Sequence, residues 1–234
     1  MQPTTVILQT STTNHLACFM PSNALAKFEN KMLVDVKRIV ESHGILNHDG
    51  GGRRGLGHIT RSGVLMLCAS WELYVEELAV EVAECLANRA NAPTQLPLGA
   101  QKELARLVRE HKHDLKPLEL AGAGWEQVYV SHVKEVIGTL NTPKAGPIDE
   151  TYKRLLGWET PSQGWSRGKD FINDFVKGRG DIAHKVSDAD YVRIGVLKDD
   201  YVIGIGATVV EHDNAACDFI TNNSDCGRPW RRRT

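Results

Sequence analysis

Residues 60–90 read TRSGVLMLCASWELYVEELAVEVAECLANRA, and this stretch decides the class of fold. It contains no proline, and its one glycine, Gly63, lies near its start. At about 3.6 residues per turn, Val64, Leu65, Leu67, Cys68, Trp71, Leu73, Tyr74, Val75, Leu78, Val82 and Leu86 cover most of a helix's circumference. A helix apolar on that many sides must be covered from several directions, so it belongs at the centre of a bundle. Its polar exceptions are Glu72, Glu76, Glu77, Glu81 and Glu84. Most of them read as a solvated stripe. Glu72, next to Trp71, is the one placed to turn inward and meet a polar partner.

The flanking sequence extends the helical pattern. Before it, Leu25, Phe28, Met32, Leu33, Val36, Ile39 and Val40 recur at helical spacing, and Ser22 or Asn23 can cap that helix. Residues 1–22, rich in Thr, Ser and Asn, read as an N-terminal extension. Residues 47–58 are a glycine-rich break. They lack the G-K-[ST] ending of a phosphate-binding loop and no strand precedes them, so they read as an interhelical loop. Beyond Pro97, residues 99–118 read as a helix with Leu104, Leu107, Val108 and Leu115 inside and Arg106, Arg109, Lys112 and Lys116 on a solvated basic face. His111 and His113 have no third ligand nearby, so no metal site is assigned. A helix follows over 125–140, then a linker through Pro143 and Pro147, then a short helix from Asp149 to Leu156. The segment 198–221 reads as helix in spite of the β-branched run from Val202 to Val210. The end, RPWRRRT at 228–234, reads as a basic tail without fixed structure. There is no alternation of strand and helix and no internal repeat. The expected organisation is an all-α bundle of about six or seven helices over 23–222, with a basic tail at 223–234.

Composition narrows the functional classes. A chain of 234 residues with 41% hydrophobic and 24% charged residues is ordinary for a globular domain. With a net charge of -1 there is no global field for nucleic acid, which would need a local patch or a cleft formed on assembly. None of the five cysteines forms a C-x-x-C pair, and their odd number argues against a secreted disulfide framework. No basic-then-apolar leader and no apolar run near about 20 residues occurs. The expectation is a cytoplasmic protein with no membrane association.

The chemistry is concentrated in SRGKDFINDFVKGRGDIAHK, residues 166–185. On a helical wheel, Phe171, Ile172, Phe175, Val176, Ile182, Ala183 and Val186 form one apolar face, with Asp170, Lys177, Asp181 and His184 opposite. Arg179 falls in the middle of the apolar face. An unpaired guanidinium there is costly, so it needs a partner, a second subunit or a cleft. Gly178 and Gly180 flank it, each costing about 1 kcal/mol relative to alanine inside a helix. Propensity did not select this stretch. A structural reading is open: His184 as an ordinary helix-end histidine, and Arg179 paired with Glu72.

Arg179-Gly180-Asp181-Ile182-Ala183-His184 resembles the R-x4-H signature of HEPN domains. Upstream, Trp71-Glu72-Leu73-Tyr74 looks like that superfamily's early core helix. Leu140-Asn141-Thr142-Pro143, the Leu155-Leu156-Gly157 turn and Trp165 are similar to the RiboL-PSP-HEPN subgroup. The resemblance covers roughly residues 24–222. It implies a HEPN-like helical bundle and cleavage of RNA without metal or other cofactor. Arg179 would hold the phosphate, His184 would act as general acid–base, Asp181 would orient the imidazole, and Glu72 would support the site. It also implies a homodimer with two motifs facing one cleft, and allows an antitoxin or other protein partner. Many active members carry a polar residue after the motif arginine, whereas Gly180 stands here. That departure keeps a second reading in view, a non-catalytic module that binds RNA or a protein.

Overall fold

Ser22 caps the first helix, its hydroxyl accepting the Leu25 N–H at 2.9 Å. The next two exposed donors are satisfied from another helix: Glu81 accepts from the backbone N–H of Asn23 at 2.8 Å and of Ala24 at 2.9 Å. Glu81 is therefore a cross-helix cap and no part of a solvated stripe. In the computed structural model, which describes residues 20–47, 55–184 and 192–233, α1 (Asn23–Lys27) runs through a π-helical turn (Phe28–Met32) into α2 (Leu33–Leu46) as one rod. The expected N-terminal extension at 1–19, positions 48–54 of the glycine-rich loop and Ser187-Asp188-Ala189-Asp190, a stretch that reads as an N-cap for a further helix, lie outside the described residues.

The central helix, α3, spans Gly57–Arg89. Trp71, Tyr74, Val75, Leu78, Ala79 and Val82 are fully buried, and α1, α2, α5, α6, α7 and α8 all pack on α3. Leu73 departs from the expectation at 39% exposed. Trp71, Tyr74 and Tyr152 reach across the bundle with their polar ends satisfied, which lets them bury their rings without an orphaned donor, whereas the buried Trp165 indole has no hydrogen-bond partner among the described residues. Tyr74 donates to the Val209 carbonyl at 2.9 Å, Tyr152 to that of Val75 at 2.7 Å, and the Trp71 indole to that of Pro143 at 2.9 Å.

The remaining helices are α4 (Leu98–Glu110), α5 (Gly124–Ile137), α6 (Ala145–Leu156), α7 (Gly168–His184) and α8 (Ile203–Asn222), the last entered through a π-helical turn at Val196–Val202. Counting α1 and α2 as one rod, the described residues hold seven helices and no strand. None is long and apolar enough to cross a membrane.

Three boundaries differ from the sequence reading. The helix expected over 99–118 stops at Glu110, because the rings of His111 and His113 accept the backbone N–H of His113 at 3.1 Å and of Leu115 at 3.3 Å and cap the break. A separate 3-10 turn, Lys116–Leu120, follows. The short helix begins at Ala145, four residues before the expected Asp149. Pro147 sits in its first turn, where a missing N–H costs nothing. The tail is folded: Trp230 is 4% exposed, its indole donates to the Asp213 carbonyl at 3.4 Å, and Arg231 N donates to Met20 O at 2.8 Å. One buried tryptophan offsets the entropy of ordering a short basic segment. Close approach also requires glycine where α4 starts against the end of α6: a Cβ on Gly99 would lie 2.4 Å from the Lys153 carbonyl. Gly157 ends α6 with a φ of +76°.

Candidate functional site

Helix α7 carries its buried stripe, Ile172, Phe175 and Val176, against the bundle. Arg179 continues that stripe by one turn, at the point where the packed surface opens. Its guanidinium side chain is 37% exposed, and the facing Glu72 on α3 is 20% exposed. Nη2 of Arg179 lies 3.9 Å from Glu72 Oε2, and Nη1 donates to the Asn141 carbonyl at 3.4 Å. Both contacts are long, so they orient the guanidinium without saturating its five donors. Glu72 thus faces inward toward a cation. The partnership is half-open to solvent, unlike a sealed structural ion pair.

The loop that supplies the Asn141 carbonyl is held from both sides. Pro143 O accepts the Trp71 indole, and Ala145 N donates to Asn173 Oδ1 on α7 at 3.1 Å. Sequence reasoning had no access to Asn141's role, because a backbone carbonyl leaves no mark on residue identity. Cys68, one turn before Glu72, is fully buried. Burial pushes its thiol up to about 12, outweighing the lowering effect of Arg179, so it is a packing residue and not a nucleophile.

Among the described residues, and apart from the chain neighbours and the helix's own nearby backbone, no atom lies within 4 Å of the position a Cβ would take on Gly178 or Gly180. Nothing in the described fold requires glycine there. Asp181 lies on the same turn and is half-buried. His184 is the last described residue of α7; its imidazole lies outside the described side chains. The helix therefore brings Arg179 to Glu72 and Asn141. Among the described residues no group of three or more His, Cys, Asp or Glu is placed to hold a metal ion.

Two buried polar groups went unnoticed in the sequence. Glu103 on α4 accepts from Arg106 Nε at 2.9 Å and Nη2 at 2.7 Å, and lies 2.8 Å from His132 Nε2 on α5. Burial opposes its charge, but the hydrogen bonds from Arg106 and His132, with Arg154 nearby, win and hold the carboxyl down at about 2. Arg106 is thus paired with Glu103 and only partly exposed, so it is not a free cation of the basic face. This network backs a cleft of about 800 Å³ lined by His132, Lys116 and Ser131, to which Arg179 does not contribute. The second group is His212-Asp213 on α8. His212 is enclosed by the rings of Trp71, Tyr74, Tyr152, Trp158 and Trp165. Burial drives its pKa down to about 3 against a weaker upward pull from Asp149. Burial drives Asp213 up to about 7 in spite of the hydrogen bond from Ser22. An E-H-D sequence inside an apolar helix was the available signal.

The family model described as RiboL-PSP-HEPN matches residues 32–211. No curated protein and no solved structure matches the chain significantly.

Proposed function

Because the chain belongs to the RiboL-PSP-HEPN family, we propose that it is a metal-independent endoribonuclease built on the R-x4-H motif, serving as a toxin or as a defence or stress effector. The observation that carries this reading is Arg179: a guanidinium at the open end of a buried stripe, held by two long contacts and ready for a phosphate. In the reaction a 2′-hydroxyl loses its proton and attacks the adjacent phosphate. The bond to the 5′-oxygen breaks, that oxygen takes a proton, and a 2′,3′-cyclic phosphate remains. Arg179 stabilises the charge on the phosphorane, and His184 moves protons in the pH range its side chain suits. Asp181 lies three residues before His184, one turn away, and orients the imidazole. Glu72 supports Arg179. A homodimer sets two motifs on one cleft and gathers the positive charge that a nearly neutral chain lacks.

The test uses total RNA in excess chelator with the wild type, Arg179→Ala and His184→Ala. The expected result is cleavage by the wild type alone, with cyclic-phosphate ends. The second reading, a non-catalytic module binding RNA or a protein such as an antitoxin, is favoured by Gly180 following the motif arginine. It gains if all three folded proteins leave RNA intact.

A further inference from the structure

The C-terminal segment is fastened along its length. Cys217 Sγ donates to the Trp230 carbonyl at 3.3 Å, and Arg231 N donates to Met20 O at 2.8 Å. Asn214 grips Arg233 twice, with Oδ1 accepting the Arg233 N–H and Nδ2 donating to the Arg233 carbonyl, each at 2.8 Å. Trp230, buried between these anchor points, fills a site over α8. The consequence is electrostatic. Arg228, Arg231, Arg232 and Arg233 are all exposed, and they stand on a backbone that is anchored at Gly227, Trp230, Arg231 and Arg233. Two are met by carboxylates, Arg232 by Asp218 at 3.2 Å and Arg233 by Glu29 at 2.6 Å. Arg228 and Arg231 have no carboxylate in ion-pair range among the described residues. The segment 228–233 thus carries four guanidiniums, of which two are paired with carboxylates, and it presents a net positive stretch on a chain whose total is -1.

We propose that this pinned arginine patch is a docking surface for the phosphate backbone of single-stranded RNA, separate from the R-x4-H site. The proposal rests on the reading that RNA is the substrate. Guanidinium forks match phosphate oxygens in pairs, and a phosphate chain carries enough charge to displace surface carboxylates such as Asp218 and Glu29. A patch read by charge alone would hold RNA without regard to sequence, leaving selection of the cut to the Arg179 site. Fixing the backbone of the segment in advance removes the chain-ordering cost that a loose arm would meet on binding. Trp230 is the residue that sets this geometry. Its ring is buried and takes no part in stacking on bases.

The experiment is anisotropy of a fluorescent oligouridylate across a salt series. Every protein carries His184→Ala, so that binding is read without cutting. One variant changes Arg228, Arg231, Arg232 and Arg233 to Gln; a second carries Trp230→Ala, which keeps every charge and releases the segment. Melting curves establish that each is folded, and the surface Gln variant stands as the decisive one if Trp230→Ala is not. The Gln variant is expected to bind about tenfold or more weakly at moderate salt, with the slope of log affinity against log salt reduced by roughly 0.7 for each phosphate no longer neutralised. Trp230→Ala is expected to weaken binding several-fold. Wild-type affinity and slope in the Gln variant overturn the proposal, and point to an acidic protein surface as the patch's partner. Weakened binding in the Gln variant with none in folded Trp230→Ala overturns the pinned geometry and makes the tail a free arm. Cleavage by the chain with wild-type His184 is scored separately. RNA bound through the patch but never cut sinks the ribonuclease reading alone, and RNA cut with no dependence on these arginines sinks the patch alone.

Discussion

Replacing Gly178 and Gly180 with alanine tests the central geometry in two ways at once. Both lie inside α7, and among the described residues an added Cβ at either position meets no atom within 4 Å beyond its chain neighbours and the helix's own nearby backbone. No steric cost therefore offsets the gain in helix propensity, about 1 kcal/mol per glycine in a helix interior. Tertiary context lowers propensity gains, so the pair should be worth about 1.5 kcal/mol together. For a domain of this size each kcal/mol raises the melting temperature by roughly 2–4 °C, which makes the expected rise about 3–6 °C. Circular dichroism melts and urea titrations measure it. If the glycines exist to let RNA come close to Arg179, the same stabilised protein should cut RNA in chelator more slowly, on the order of tenfold to a hundredfold, because a small displacement of the reacting phosphate is expensive. A fall in stability would refute the outward-facing placement of these glycines. A rise in stability with unchanged cleavage would refute their role in approach and leave Arg179 without its flanking surface.

The adjacent pair on α8 makes a pH prediction. Asp213 titrates near 7 in the fold against an ordinary 3.8, so the folded state holds an extra proton between those values and stability falls as pH rises through that window. His212, at about 3 against 6.5, holds one proton fewer, so its contribution rises with pH between those values. The two slopes oppose each other from about pH 4 to 6.5, and Asp213→Asn should expose a steeper climb in urea-measured stability from pH 3 to 6.5 than the wild type has. Glu103→Gln should cost about 1–3 kcal/mol at neutral pH, less than a sealed buried pair because Arg106 is partly exposed; it should also remove the loss of stability that Glu103 causes as pH falls from 4.5 toward 2. Gly99→Ala should be worse tolerated than either α7 glycine change, costing about 2–3 kcal/mol in urea titrations, since the atoms 2.4 and 2.7 Å from its Cβ are backbone and cannot swing aside.

Periodicity alone determined that α3 is central, that the chain is all-helical, and that Arg179 interrupts an apolar stripe. Each follows from side-chain identity at fixed spacing, which is local information. The resemblance to the RiboL-PSP-HEPN family was likewise written in consecutive residues, and the family match over 32–211 bears out the family. Helix ends were less legible. Whether His111 accepts a backbone N–H, or Pro147 sits in a first turn, depends on which of several local hydrogen bonds is better made. Contacts between distant segments were decided only by the tertiary structure. The Asn141 carbonyl reaches Arg179 across 38 positions, Glu81 caps a helix 57 positions away, and Trp230 finds its site over α8. A basic tail and a charged helix face both look solvated in one dimension, because exposure is the usual state of their charges. Packing against another element turned Glu103, Glu81 and Asp213 into partners, since a buried carboxylate persists only where the fold supplies donors or a proton.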